Sequence, residues 1–373
     1  MEVWMAAAEI GPLAQTGGLA DVLRALPPAL ARRGHVVRRF LPAYGNIEVA
    51  GFRDEGLNIA VPLGPARLPA RFLSRAEADG AITTLVINDE LFGRDGIYGP
   101  PGGSFGDNAR RYAFLSRAVC EYALRRDTLP DLLHLHDWHV AMVPLLVRND
   151  PRPAVRPRTV LTIHNLGYQG RFGAEELDWL GLPPALRDEV MRPEAIEDEG
   201  GINFLKAGLV FADRLTTVSP TYAREIVTPE GGFGLDPFLR RRGADLTGIL
   251  NGADYDLWNP ESDGCLPQPY GPDTLEGKAA AALRLRETLG LPPAERPILG
   301  VVSRFVAQKG IDLVAEAAPA LLAAGADLAL LGAGDGGIEE RLEGLRREQP
   351  RRIGLKKGFD TSLAHLVVAG SDL

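Results

Sequence analysis

Near the N-terminus a short apolar run, a glycine-bearing loop and a helical pattern follow one another, and this unit recurs along the chain. The first run is Val3 to Ala8, its loop extends through Gly18, and the helical pattern covers Leu19 to Arg33. Val36 to Leu41, Ile82 to Ile87, Leu132 to Leu135, Thr159 to Ile163 and Arg214 to Val218 read as further strands. A long helix is predicted over Asp107 to Arg126, where Ala113, Leu115, Ala118, Val119 and Tyr122 share one side. Strands alternating with helices through short glycine-containing loops specify parallel α/β sheets of the doubly wound type.

Between residues 240 and 275 the pattern changes. A strand at Thr247 to Leu250 leads into a Pro/Gly/Asp-rich stretch, after which the alternation restarts. Helices are expected at 275–289, 311–323 and 338–348, with strands at 298–303 and 328–331. Two α/β domains follow, 1–242 and 243–373. Ser371 to Leu373 reads as the beginning of another strand, so the second domain is expected to be incomplete.

Several function classes are excluded early. With 41 Lys plus Arg against 49 Asp plus Glu, the net charge is −8, and a general nucleic-acid binder would be basic. No apolar run approaches the roughly 18 residues of a membrane span. Met1 to Ala6 has no basic segment ahead of its apolar stretch, so it reads as a first core strand and not an export signal. A cytoplasmic protein that binds neither nucleic acid nor membrane is expected. Cys120 and Cys265 stand far apart, in no Cys-x-x-Cys or Cys/His spacing, and read as two reduced thiols.

Chemistry is expected in the loops that follow strands. Gln15, Gly17, Gly18 and Asp21 lie between the first strand and its helix. Glycines there let backbone approach a ligand beside the partial positive charge of a helix N-terminus; the alternative is a tight turn that needs glycine for its conformation. His134, His136, Asp137 and His139 cluster at one strand end. His134 and His136 share a strand face, which raises a metal site, but no second cluster supplies further ligands and no metal is expected. His164 follows the next strand, in Thr162-Ile163-His164-Asn165-Leu166-Gly167-Tyr168-Gln169-Gly170. Ligands of open α/β sheets bind at such carboxyl ends. Arg304 and Lys309, after the first strand of the second domain, suit phosphate oxygens and would neutralise them without a metal. Gly332-Ala333-Gly334-Asp335-Gly336-Gly337 matches the dinucleotide pattern GxGxxG, with Asp360 as a loosely spaced ribose-binding acid. It keeps a nicotinamide enzyme open as a competing class.

Taken together, Ala8 to Val22, His136-Asp137-Trp138-His139, His164 to Gly170, Asn203 to Gly208, Thr217 to Ala223, Asn251-Gly252-Ala253-Asp254, Ser303-Arg304 with Gln308-Lys309-Gly310, and Leu331 to Asp335 resemble the motifs of bacterial glycogen synthases and plant starch synthases, in that family's order. The resemblance spans essentially the whole chain. It implies two Rossmann-like domains facing a cleft (the GT-B glycosyltransferase fold) and no cofactor. It implies retaining transfer of glucose from ADP-glucose to the non-reducing end of an α-1,4-glucan.

By position, Arg304 and Lys309 would hold the donor diphosphate and His164 would lie by the transferred glucose, with Asp137 close by. Gln15, Gly17, Gly18, Asp21, Asn251, Gly332 and Gly334 would contact the donor. Glu9 is a further candidate contact with donor or acceptor. Two departures stand out. Gln15 occupies the place of the family's usual Lys, and the family pattern continues beyond the position of Leu373 into a Glu-containing segment. They motivate an alternative, a non-catalytic glucan- or nucleotide-binding relative.

Overall fold

The computed structural model describes residues 1–100 and 103–373, which form two compact units, Met1–Asn251 and Gly252–Leu373. Strands of the first unit are β1 Glu2–Ala6, β2 Val36–Pro42, β3 Arg53–Leu63, β4 Ala66–Ala76, β5 Ile82–Ile87, β6 Leu132–His136, β7 Arg158–Ile163, β8 Arg171–Gly173, β9 Glu197–Asp198, β10 Gly201–Asn203, β11 Arg214–Thr217 and β12 Leu246–Gly248. Nine of them make one sheet in the order β12-β11-β7-β6-β1-β2-β5-β4-β3, and β8, β10 and β9 make a small antiparallel one. From β12 to β5 every pair is parallel, as the alternation predicts; β4 and β3 add antiparallel. Because Leu246 of β12 pairs opposite Leu215 of β11, the first unit runs to Asn251, past the expected boundary after residue 242.

The hairpin β3–β4 was not expected from the sequence. Pro62 and Pro69 interrupt its two strands, and proline within a run argues against a strand assignment. Prolines also sit inside the first helix, Gly18–Ala31, at Pro27 and Pro28. Having no N–H, they cannot bond the carbonyls one turn back, at Leu23 and Arg24. Buried Arg39 of β2 reaches those two carbonyls at 3.0 and 3.4 Å, so the helix continues with its backbone satisfied. Beneath β1 and β2 the core is aromatic, with Trp4, Phe40, Phe72 and Tyr122 packed at ring separations of 4.7 to 5.3 Å.

The second unit is a three-stranded parallel sheet, β13 Ile298–Val302, β14 Asp327–Gly332 and β15 Ile353–Lys357, in that order. Period-2 alternation along β14 divides its core. Ala329 and Leu331 pack with residues of helices Glu276–Leu289 and Thr361–Gly370; Leu328 and Leu330 pack with those of Ile311–Ala323 and Gly336–Glu348. Asp327, fully buried at the start of β14, takes hydrogen bonds from Arg286, Arg296 and Arg352 at 2.7, 3.0 and 2.5 Å. Burial alone would raise its carboxyl pKa; bonds from Arg296, Arg286 and Arg352 hold it below the usual range. Ser371 to Leu373 runs beside β13, where the Gly300 N–H donates to the Leu373 carbonyl at 2.8 Å, in keeping with the expected strand beginning.

Candidate active site

Parallel pairing brings the carboxyl ends of β1, β6, β7, β11 and β12 to one edge of the first sheet, the edge where open α/β sheets hold ligands. After β1, the glycine loop is tied down by Glu9. This buried carboxylate accepts from the Thr16 N–H at 2.7 Å, the Thr16 hydroxyl at 2.8 Å, the Gly17 N–H at 3.1 Å and the Tyr98 hydroxyl at 2.5 Å. With four donors on two oxygens, Glu9 organises the loop.

Gly17 has φ −166°, an extended conformation open to any residue, and a Cβ added at Gly17 or Gly18 would meet no atom of the described residues within 4 Å. Neither turn geometry nor packing therefore calls for these glycines, and the tight-turn alternative fails. Gln15 donates its amide to Asp21 at 3.0 Å, bringing together two of the predicted residues.

Asp137, directly after β6, has φ 59° and ψ −174°, a region that costs a non-glycine residue of order 1–3 kcal/mol. Its Oδ1 accepts the His164 N–H at 2.7 Å, and the Asn165 N–H also bonds this carboxylate. Burial lifts its carboxyl to about pKa 7, against the pull of those two backbone donors. The strand ends β6 and β7 thus bring Asp137 and His164 into contact, as expected.

A column of imidazoles backs this pair. His136 Nδ1 lies 2.9 Å from His164 Nε2, His134 Nε2 lies 2.7 Å from the Thr162 hydroxyl, and that hydroxyl is 2.6 Å from Thr216 Oγ1. Burial pushes His164 down to about 3 and His134 to about 4, and also lowers His136 and His139, so all are neutral at physiological pH. The first three imidazoles hydrogen-bond side chains along the column instead of converging on one point. Sequence order alone does not link His136 to His164; their contact depends on β6 and β7 being neighbours.

Beyond this column a cavity of about 410 Å³ opens among Asn108, Trp138, Tyr168, Gln169, Arg171 and Phe233. Tyr168 and Phe233 are about half exposed, so aromatic faces and the Arg171 guanidinium border one space, while the amides of Asn108 and Gln169 are buried and donate to the Tyr98 and Phe233 carbonyls. Gly170 has φ +63°, and a Cβ there would run into the Trp138 ring, so this wall admits only glycine. Lys206 is not part of it: its ammonium bonds the Glu197 carbonyl and lies 4.3 Å over the Phe238 ring. Asn251 is exposed at the end of the first unit.

In the second unit, Arg304 is half-buried and Lys309 exposed, both in the loop after β13. Gly310, at φ +69°, closes that loop and opens the helix Ile311–Ala323. The loop packs on the one after β14: the Phe305 N–H donates to Ala333 O at 2.9 Å and the Asp335 N–H to Phe305 O at 2.8 Å. A Cβ at Gly332 would overlap the Ser303 carbonyl and one at Gly334 would lie 2.5 Å from Phe305 O. Close backbone packing by itself requires glycine at both positions. Asp335 and Asp360 are helix N-caps, accepting from Ile338 and Leu363 N–H groups at 3.0 and 2.9 Å. The ribose-binding reading of Asp360, and with it the nicotinamide class, loses its acidic residue.

A family model for the starch synthase catalytic domain matches residues 2–241, nearly the whole first unit. The glycogen synthase of Anaeromyxobacter dehalogenans is 46% identical over all of this chain and 78% of its own length. The chain belongs to the glycogen and starch synthase family. The glycogen synthase of Myxococcus xanthus is 43% identical, again over all of this chain and 78% of that protein.

Among solved structures, the catalytic domain of starch synthase IV from Arabidopsis thaliana, bound to ADP and acarbose, superposes with a TM-score of 0.91 at 32% identity. The match covers 100% of this chain and 77% of that one. Sucrose-phosphate synthase from Thermosynechococcus elongatus, at 18% identity and TM-score 0.57 over 100% of this chain and 74% of its own, shares the fold. The fold is the α/β architecture of GT-B glycosyltransferases, and family membership makes the protein an enzyme of the glycogen synthase type. Among the described residues no helix is long and apolar enough to cross a membrane.

Proposed function

We propose that this enzyme moves glucose from ADP-glucose to the non-reducing end of an α-1,4-glucan, in the cytoplasm and with retention at the anomeric carbon. The observation that carries this reading is the whole-chain superposition, at TM-score 0.91, on a starch synthase domain that binds ADP and acarbose. In this reading the second unit, 252–373, is the nucleotide-sugar-binding part and the first carries the glucan chemistry.

As the bond between glucose C1 and the diphosphate breaks, negative charge gathers on the leaving phosphate. Arg304 and Lys309 supply two cations that stabilise it. The backbone at Gly17 and Gly18, with no side chain of its own to fill the space, approaches the donor closely. Gln15 and Asp21 border it, and Asn251 is a further donor contact. His164, held neutral, donates or accepts a hydrogen bond at the transferred glucose. Asp137, titrating near neutrality, can hold or release a proton beside it. The cavity at Tyr168 and Phe233 suits a sugar chain, since aromatic faces pack on pyranose rings while the part-exposed Arg171 guanidinium meets hydroxyls.

The test is ADP release and chain extension by the full-length gene product given ADP-glucose and a glucan primer. Lys309→Ala is expected to lower turnover about 10²–10³-fold with glucan binding unchanged. An unchanged rate removes Lys309 from the site, and faster transfer from UDP-glucose overturns the donor assignment.

A further inference from the structure

Cys265, Asp263 and His365 lie outside the chemistry described so far, and the fold brings them together from opposite ends of the second unit. One carboxylate oxygen of Asp263, the thiol sulfur of Cys265 and a ring nitrogen of His365 all lie within 4.8 Å of one another. Each member is held in place. Asp263 Oδ1 accepts the Cys265 N–H at 2.8 Å, so the acid fixes the backbone that presents the thiol. Its Oδ2 lies 2.6 Å from His365 Nδ1. His365 is 2% exposed, on the helix Thr361–Gly370, and Trp258 stacks on its ring at 3.9 Å and 7°. The other ring nitrogen, Nε2, is buried with no hydrogen-bond partner among the described residues.

We propose that Asp263, Cys265 and His365 form a binding site for a divalent cation of the zinc type. One oxygen, one sulfur and one nitrogen make the mixed donor set that Zn²⁺ accepts, with the fourth tetrahedral position left to water. Cys265 is exposed and gives the ion a way in, while Asp263 and His365 are anchored. A tetrahedral ion with bonds of about 2.0 Å to nitrogen and oxygen and about 2.3 Å to sulfur holds its ligand atoms about 3.3–3.5 Å apart, so entry requires the present Asp263–His365 hydrogen bond to open by less than an ångström and the exposed Cys265 thiol to settle from within 4.8 Å of its partners. The ion takes the thiolate form of Cys265, and the thiol proton leaves to solvent. Bound there, it cross-links the loop at 263–265 to the helix Thr361–Gly370.

The experiment titrates chelator-stripped full-length protein with Zn²⁺ against a chromophoric chelator, and with Co²⁺ as an optical probe. One ion per chain, a thiolate-to-cobalt charge-transfer band and a rise in Tm on Zn²⁺ addition are expected. Cys265→Ser, at an exposed position, should abolish the band and weaken Zn²⁺ binding at least about tenfold. Cys120→Ser should change neither, because Cys120 is buried and burial pushes its thiol up to about 12. Asp263→Asn, which keeps an oxygen in place but removes its charge, should weaken binding without removing the cobalt–thiolate band. Failure to bind Zn²⁺ at excess metal, or equal affinity in Cys265→Ser, overturns the proposal.

Discussion

Both units carry a glycine pair in a loop between a parallel strand and the next helix, and the pairs exist for different physical reasons. At Gly332 and Gly334 the protein itself fills the space: the loop after β13 lies so close that a methyl group would strike backbone. At Gly17 and Gly18 nothing among the described residues lies within 4 Å of an added Cβ, and the backbone of Gly17 is extended. The lesson is that a glycine motif reports close approach without saying of what. One pair accommodates the fold; the other is open, and in the proposed function that opening faces the donor.

Substitutions can break this contrast. Gly332→Ala should have the largest effect, destabilising the second unit by more than ~3 kcal/mol because backbone must move. Denaturant unfolding would measure it, and a stable variant would show that the two loops are not locked. Asp137→Asn comes next, with turnover expected to fall about 10²-fold. The raised carboxyl pKa means that the folded state holds a proton the unfolded chain releases. Native stability should therefore fall as pH rises from about 4 to about 7 and level off above. Asn keeps the acceptor for the His164 N–H, tolerates positive φ and removes that slope, so Tm near pH 8 should rise by a few degrees, ~2–4 °C per kcal/mol. A rise in activity, or an unchanged pH–stability curve, would contradict the reading of Asp137.

Gly17→Ala separates the two glycine pairs most directly. Stability should stay within ~0.5 kcal/mol or improve slightly, while the donor KM rises about tenfold. A destabilised variant with normal KM would erase the distinction. The smallest effect is expected for Gln15→Lys. It exchanges an amide bonded to Asp21 for a cation and should tighten ADP binding by no more than about tenfold by calorimetry. Weaker binding would place residue 15 away from the diphosphate.

Much of the fold was legible because its main signal is local. Apolar runs at β1, β2, β5, β6, β7 and β11, each ended by a loop, need no knowledge of partners. The hairpin β3–β4 was not, since Pro62 and Pro69 mask it and its stability comes from pairing with β5. For the site, strand-end position picked out Asp137 and His164 before their contact was known. It could not reveal that His136 faces His164 or that Glu9 braces the glycine loop, because each depends on spatial neighbours; the cap at Asp360, by contrast, bonds an N–H only three residues on and is a local signal. Cys265 looked isolated for the same reason: its companion His365 lies at the far end of the unit's sequence.

The two carbonyls that Arg39 reaches make residues 27, 28 and 39 a single heritable unit. Pro27 and Pro28 without Arg39 would leave two acceptors that lose this donor, so the prolines are tolerated only in the company of the arginine. Grafting the helix Gly18–Ala31 into a relative with another residue at position 39 should therefore fail, unless that arginine travels with it.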